Sequence, residues 1–221
     1  MTKKASYTHI ASRSDGLETR AHIIECAGRL IAGRGFAQTT SKSICQAAQV
    51  NMAAVNYHFG SRDGLYMAVM QEVHDHLMSL EAITDLYNSG QSSEEKIIAF
   101  VEMYIDNLLK QSNWYIEVWT RELLVPSPLF LEIFNSNLPK FKIAQLLFAQ
   151  YLELPITDMR VYSCMFGTMS PFMLIYLQHG NPILQHLPDF IRRDEILRHL
   201  KDYVLQNLKH YKHEGAPVRC T

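Results

Sequence analysis

The chain has 221 residues and a formal net charge of -1, from 21 basic and 22 acidic side chains. That balance excludes a uniformly basic nucleic-acid binder, but it is a cancellation: residues 1–62 carry eight basic against three acidic groups, +5, and residues 63–221 carry 13 against 19, -6. Charge divided this way points to an anion-binding end on an acidic body. With 48% hydrophobic and 19% charged residues the chain is globular, not disordered. Its four cysteines (Cys26, Cys45, Cys164, Cys220) form no CxxC pair, which suits a reduced, cytoplasmic compartment. The N-terminus is charged with no apolar stretch behind it, so secretion is not expected. The most apolar run, residues 161–177, is too short and too interrupted for a membrane span.

Helical periodicity dominates in chain order. Residues 1–16 are expected to form a flexible basic arm. Leu17, Ala21, Ile24, Gly28 and Ile31 then mark an amphipathic helix that stops near Gly33 and Gly35. Thr39 or Thr40 can cap a second helix running to Ala48, and Asn51 a third from Met52 to Phe59. Gly60-Ser61 breaks the chain before a fourth, residues 62–80, with Leu65, Val69, Val73 and Leu77 at spacing four. Residues 84–93 read as a linker, and Ser92 with Glu95 as a capping box opening a helix over 93–110. Helices are expected over 113–124, 128–135 and 138–153, then from Pro155 to about His179, where Ser170-Pro171 should bend the chain. Leu197, Leu200, Val204, Leu208 and Tyr211 define the last one, before a flexible tail, 214–221. No strand pattern or internal repeat is present. The fold class is all-α, with about nine helices.

Residues 39–62, TTSKSICQAAQVNMAAVNYHFGSR, carry the sharpest signal. Two short helices joined at Ala48-Gln49-Val50 have the layout of a DNA-reading helix-turn-helix. On a wheel of about 100° per residue, Met52, Val55 and Phe59 turn inward with Ile44 and Ala48 of the preceding helix. Ala53 and Tyr57 lie opposite, flanked by Ala54 and Asn56. Small residues at 53 and 54 let a backbone approach a groove wall, and Tyr57 offers a ring and a hydroxyl. His58 fits either a packing role or a phosphate contact.

Residues 17–66 resemble the N-terminal domain of TetR/AcrR-type transcriptional regulators. The resemblance rests on Gly35-Phe36, Thr39-Thr40, Ile44, Ala48 to Val50, His58-Phe59, Ser61-Arg62 and Leu65-Tyr66. Arg121-Glu122-Leu123 followed by Pro126-Ser127-Pro128 is similar to the CecR-type subgroup. The resemblance implies phosphate contacts from Thr40 and Ser41, and a phosphate or base contact from Lys42. It implies base reading by Met52, Ala53 and Tyr57, with Ala54 close by and Asn56 and His58 near phosphates. Arg62, where the family commonly has lysine, would hold a phosphate at the start of the fourth helix. Gln49 stands where glycine is usual, in a turn that glycine enters more easily. The partners implied are double-stranded operator DNA, a second copy of the chain, and a small-molecule effector that releases a repressor from a palindrome. Lys3, Lys4, Arg13 and Arg20 would add contacts to phosphate or the minor groove.

The domain plan is therefore a head over 17–62 and an effector-binding and dimerisation body over 63–213. Met103, Tyr104, Trp114, Glu117, Trp119, Arg121, Phe134, Phe148, Tyr162, Phe166 and Met169 are candidate walls of an effector pocket for an apolar or aromatic molecule. At helical spacing the same side chains also suit a plain core. Met165, Phe172, Tyr176, Leu197, Leu200, Val204 and Leu208 are candidates for the dimer interface, since the run 161–177 is apolar nearly all round and needs cover. No GxSxG, HExxH, P-loop or GxGxxG is present, so no enzyme is expected, nor a cofactor or membrane association. His210 and His213 make too small a set for a metal site. A helical enzyme or a binding protein without a DNA role is the competing reading, and it leaves residues 39–62 unexplained.

Overall fold

A computed structural model describes residues 5–109, 114–177 and 193–214. Among them the chain is all helical: α1 Ala5–Arg34, α2 Ser41–Ala48, α3 Met52–Phe59, α4 Arg62–Leu77, α5 Leu80–Asn88, α6 Ser93–Leu109, α7 Trp114–Leu124, α8 Phe130–Leu152, α9 Met159–Leu177 and α10 Arg193–Glu214.

Local chemistry places most boundaries. α1 ends at Gly35, whose φ of 81° a side chain would resist. Thr40 caps α2, its hydroxyl accepting from the Ser43 amide at 3.2 Å, and Asn51 caps α3, its Oδ1 accepting from the Ala54 amide at 2.9 Å. The Ser92–Glu95 box closes in both directions: the Ser92 amide donates to Glu95 Oε2 at 2.8 Å, and the Glu95 amide to Ser92 Oγ at 3.3 Å. The Ser92 hydroxyl and amide together hold the Glu95 carboxyl below its ordinary pKa.

Four expectations are corrected. α1 begins at Ala5, so the arm expected to be flexible is helical over most of its length; its Ser, Thr, His and Asp residues are weak helix formers, and the segment is an extension of an existing helix, which costs less than starting a new one. Its inward stripe starts at Ile23 and Ile24, while Leu17 and Ala21 face outward. α5 occupies much of the expected linker, because Ser79 caps it (Ala82 amide to Oγ, 3.0 Å) and Ile83 is fully buried. α8 is continuous through Pro139 where two helices were expected, and α9 through Pro171. Burial of Ile133, Ala144, Leu147 and Phe148 offsets the hydrogen bond that Pro139 removes from α8.

The chain forms two compact units, Met1–His74 with Ser112–Asn135, and Asp75–Gln111 with Ser136–Thr221. The division expected at residue 62 is therefore drawn differently: α7 belongs with the head. Three bonds across long sequence separations account for that. Trp114 Nε1 donates to Glu25 Oε2 at 2.8 Å, Arg121 Nη2 to the Ala32 carbonyl at 3.1 Å, and the Tyr66 hydroxyl to Glu122 Oε2 at 2.5 Å.

In the second unit, α6, α8, α9 and α10 supply the core, with Phe100 edge-on to Phe148 (5.6 Å) and Tyr104 to Phe172 (6.4 Å). Met165, Phe172, Leu197, Val204 and Leu208, expected to face a second copy, are buried within the chain by these helices, and Leu200 is half-buried. The side chain of Tyr176 lies outside the described residues. Among the described side chains of α9, the apolar ones turned to solvent are Met159, Tyr162 and Phe166, the last 61% exposed. The Tyr162 and Phe166 rings lie parallel at 6.3 Å.

Candidate nucleic-acid interface

The site is built from α2, the turn and α3. Ile44, Ala48 and Val55 are buried and fix the two helices on the core. Between them Gln49 adopts φ 54°, ψ 36°, the left-handed conformation that glycine takes without penalty. Its turn closes through the Val50 amide on the Cys45 carbonyl at 3.0 Å.

The inward face of α3 is rotated from the expected one. Val55 is buried and Ala54, His58 and Phe59 are half-buried, whereas Met52 is 42% exposed. The outward arc holds Met52, Ala53, Asn56 and Tyr57, and Tyr57, at 85%, is almost wholly free of the core. His58 meets both aromatic neighbours, Tyr57 edge-on at 5.0 Å and Phe59 at 6.0 Å. On α2, Lys42 is exposed and Ser41 half-buried. The Thr40 hydroxyl serves as the cap and also lies 3.3 Å from Ser43 Oγ. Arg20 of α1 places its guanidinium 5.4 Å from the Phe59 ring centre. Lys3 and Lys4, and the Arg13 side chain, lie outside the described residues.

Arg62 has a different role from the phosphate contact expected of it. Its Nε donates to the Thr39 carbonyl at 3.0 Å, its Nη2 donates to the Phe36 carbonyl, and the guanidinium lies 4.0 Å above the Phe36 ring. Phe36 in turn stacks on Tyr66 at 4.0 Å. The cation thus ties the α1–α2 connection to the start of α4. Replacing Arg62 with methionine, which keeps an apolar stem over the ring, should lower stability in urea by about 1–3 kcal/mol, because it strands the Thr39 carbonyl and leaves the Phe36 carbonyl only the Thr39 amide as donor. Unchanged stability, with DNA affinity losing about one unit of its log–log salt slope, would return Arg62 to phosphate binding.

Sequence reasoning missed the pairing at the centre of this unit. Glu122 is 3% exposed and accepts from Tyr66, from the Ser127 amide at 3.0 Å and from Ser127 Oγ at 2.5 Å. Burial first, then the hydrogen bond and charge of Glu122, raise the Tyr66 phenol well above its usual range. Thr39 is buried too, its hydroxyl donating to the Gly35 carbonyl at 2.8 Å. Phe36, Thr39 and Tyr66 stood out as anchors of the family resemblance, but nothing local pairs residue 66 with residue 122.

The expected effector-pocket residues do not gather in one unit. Trp114, Glu117, Trp119, Arg121 and Phe134 belong to the unit of the head, where Trp114 and Arg121 bond α1, Trp119 meets His74 edge-on at 4.5 Å and Glu117 is exposed. Of the six in the other unit, Tyr104 and Phe148 are buried, Met103 and Met169 half-buried, and Tyr162 and Phe166 outward. The tertiary path of α7 decides this, since periodicity does not say which neighbour a helix meets. No helix among the described residues is long and apolar enough to cross a membrane.

Fold and site together define a helix-turn-helix protein, with a two-helix reading element carried on α1 and α4. The family model described as "Bacterial regulatory proteins, tetR family" matches residues 23–69. "HTH-type transcriptional regulator TtgR" of Pseudomonas putida is 39% identical over 106 residues, 46% of this chain and 50% of that protein. "Probable HTH-type transcriptional regulator YttP" of Bacillus subtilis is 30% identical over 149 residues, 63% of this chain and 70% of that one. The matches to TtgR and to a second Pseudomonas putida regulator span about half the length of those proteins. Two solved structures share the fold at 17% identity: FadR of Bacillus subtilis in complex with stearoyl-CoA, with TM-score 0.63 over 85% of this chain and 96% of that one, and the ketosteroid regulator KstR2 of Mycobacterium tuberculosis, with TM-score 0.60 over 85% and 93%. The chain belongs to the TetR family, a family of regulatory proteins rather than enzymes.

Proposed function

We propose that this chain is a ligand-responsive, DNA-binding transcriptional repressor of the cytoplasm. One observation carries the reading: α3 turns Met52, Ala53, Asn56 and Tyr57 to solvent from a helix otherwise anchored by its caps and by Val55. Tyr57, 85% exposed, meets His58 edge-on and otherwise leaves its ring and hydroxyl open to a partner. Thr40, Ser41 and Lys42 at the start of α2 are the proposed phosphate contacts, with Ala54 and His58 flanking the base-reading side chains.

A modest charge excess per head is doubled when two copies pair. The outward face of α9, Met159, Tyr162 and Phe166, is the proposed seat of that pairing, and Tyr203 of α10, 65% exposed, is a further candidate for it. A palindromic operator then matches the twofold axis. The proposed effector site lies around Met103, Tyr104, Phe148 and Met169 in the second unit, and its apolar chemistry agrees with stearoyl-CoA bound to FadR. The effector releases DNA by binding the non-DNA-binding state more tightly. Arg121-Glu122-Leu123 and Pro126-Ser127-Pro128 support a place near the CecR-type subgroup.

The test is titration of palindromic duplexes, taken from upstream DNA, with the purified chain at several salt concentrations. With six to ten phosphates contacted per dimer, affinity should fall by a factor on the order of 10³–10⁵ between about 50 and 200 mM salt. Tyr57→Ala should cost about 1–3 kcal/mol of binding with the fold intact. Affinity that is absent or flat with salt sinks the reading.

A further inference from the structure

The outward arc of α3 also says which base pairs it can read, an inference that rests on the DNA-binding function proposed above. Each base presents a distinct pattern in the major groove: guanine is read by arginine or lysine, cytosine by a carboxylate, adenine by asparagine or glutamine, and thymine, through its 5-methyl group, by apolar contact. From Met52 to Phe59 α3 contains no arginine, lysine, aspartate or glutamate. Its solvent-facing side chains are two apolar groups, Met52 and Ala53, one amide, Asn56, and one phenol, Tyr57. His58, the remaining polar ring, is half-buried against Phe59. Of the arginines beside α3, Arg62 is spent on the Phe36 and Thr39 carbonyls, and Arg20 of α1 holds its guanidinium over the half-buried Phe59 ring, away from the outward arc. Lys42 projects from the first turn of α2, which the geometry of such motifs sets across the backbone rather than in the groove.

The geometry points to an operator whose contacted base pairs are A·T pairs, with thymine 5-methyl groups seated on Ala53 and Met52 and an adenine edge paired with Asn56. Ala53 suits this role because its side chain is a single methyl, so the helix backbone comes close enough for contact. Met52 is flexible and polarisable, and it adapts to a neighbouring methyl. Asn56 both accepts and donates, the pattern that adenine N6 and N7 require. The tyrosine hydroxyl is neutral in this choice and supplies affinity.

The test alters the DNA and leaves the protein untouched. Duplexes that bind the full chain are enriched from a random library at low salt, and the half-site is read from them. Each contacted thymine is then replaced by deoxyuridine, which removes only the methyl, and each guanine by 7-deazaguanine, which removes only the N7 acceptor. Loss of a buried methyl contact should weaken binding about fourfold at one or two thymines per half-site. The guanine replacements should leave affinity within about twofold. Ala53→Gly should erase the deoxyuridine penalty at one position, and Asn56→Ala should remove the preference for adenine at another. Enriched half-sites that are G·C-rich at the contacted positions, or that bind uracil as well as thymine, overturn this assignment while leaving DNA binding in place. If no duplex is enriched, the DNA-binding reading itself fails, and the assignment with it.

Discussion

Replacing Glu122 with alanine should destabilise the protein by on the order of 3 kcal/mol, since hydrogen bonds to a buried charged group are worth about 1.5–3 kcal/mol each. The carboxylate receives three donors, the Tyr66 hydroxyl at 2.5 Å, the Ser127 amide at 3.0 Å and the Ser127 hydroxyl at 2.5 Å. Alanine leaves the Tyr66 hydroxyl buried without an acceptor and takes the acceptor from the two donors of half-buried Ser127. Against a typical total stability of about 5–15 kcal/mol, that loss is large enough to read in a single urea titration. Glu122→Gln should cost less, about 1 kcal/mol, because the amide keeps an acceptor for Ser127 and the Tyr66 hydroxyl can turn to accept from the amide nitrogen. Tyr66→Phe should cost a similar amount, and the double variant less than the two together. Equal losses for alanine and glutamine would mean that Glu122 matters for its charge alone.

The same bond sets a pH dependence. Burial, followed by the hydrogen bond and charge of Glu122, raises the pKa of Tyr66 in the folded state, and burial alone does the same for Tyr104. In an unfolded chain a phenol titrates near about 10. Below that value both states hold the proton and the stabilisation is complete. Above it the unfolded chain releases protons that the folded chain keeps, so stability falls as pH rises. The urea midpoint should therefore drop between about pH 9.5 and 11, and Tyr66→Phe should make the drop shallower without abolishing it. A midpoint independent of pH over that window contradicts this account.

The other large effect is expected at Gly28. A Cβ built there overlaps the six-membered ring of Trp114, close to Cζ3, Cε3 and Cη2. That ring has little room to yield, being bonded through Nε1 to Glu25 at 2.8 Å and stacked on Tyr115 at 3.9 Å. Gly28→Ala adds about 1 kcal/mol of helix propensity, yet overpacking should outweigh it and leave a net loss of about 1–2 kcal/mol, and Gly28→Val should lose more. Displacing the indole should shift tryptophan fluorescence. Removing the ring in a Gly28→Ala/Trp114→Leu double variant should recover part of the alanine penalty. A stabilised Gly28→Ala protein would show that α7 gives way at no cost.

Both effects concern α7, and α7 marks how far the sequence was legible. Boundaries set by contacts three or four residues apart were readable: Asn51 as a cap, the α2 cap narrowed to Thr39 or Thr40, the Ser92–Glu95 box, the turn at Gln49. So was the helix-turn-helix, because its anchors lie close together along the chain. The outward position of Tyr57 followed from helical periodicity, and Ala53 and Asn56 with it. Periodicity failed where the question was which partner covers a face. It marked α9 and α10 as needing cover, and these helices pack on each other and on α6 of the same chain, where Met165, Phe172, Leu197, Val204 and Leu208 are buried while Met159, Tyr162 and Phe166 stay outside.

The charges divide the same way. That residues 1–62 are basic and the remainder acidic is a property of the sequence alone, as are the all-helical class and the absence of arginine and lysine from α3. What Arg62, Arg121 and Glu122 do with their charges is not. Arg62 grips two backbone carbonyls of the α1–α2 connection, Arg121 a carbonyl of α1, and Glu122 a tyrosine 56 positions away. Local propensity and capping act over a turn of helix and are written in neighbouring residues. The partner of a buried charge is chosen by the cost of leaving it without one, and only the folded chain brings the candidates within reach.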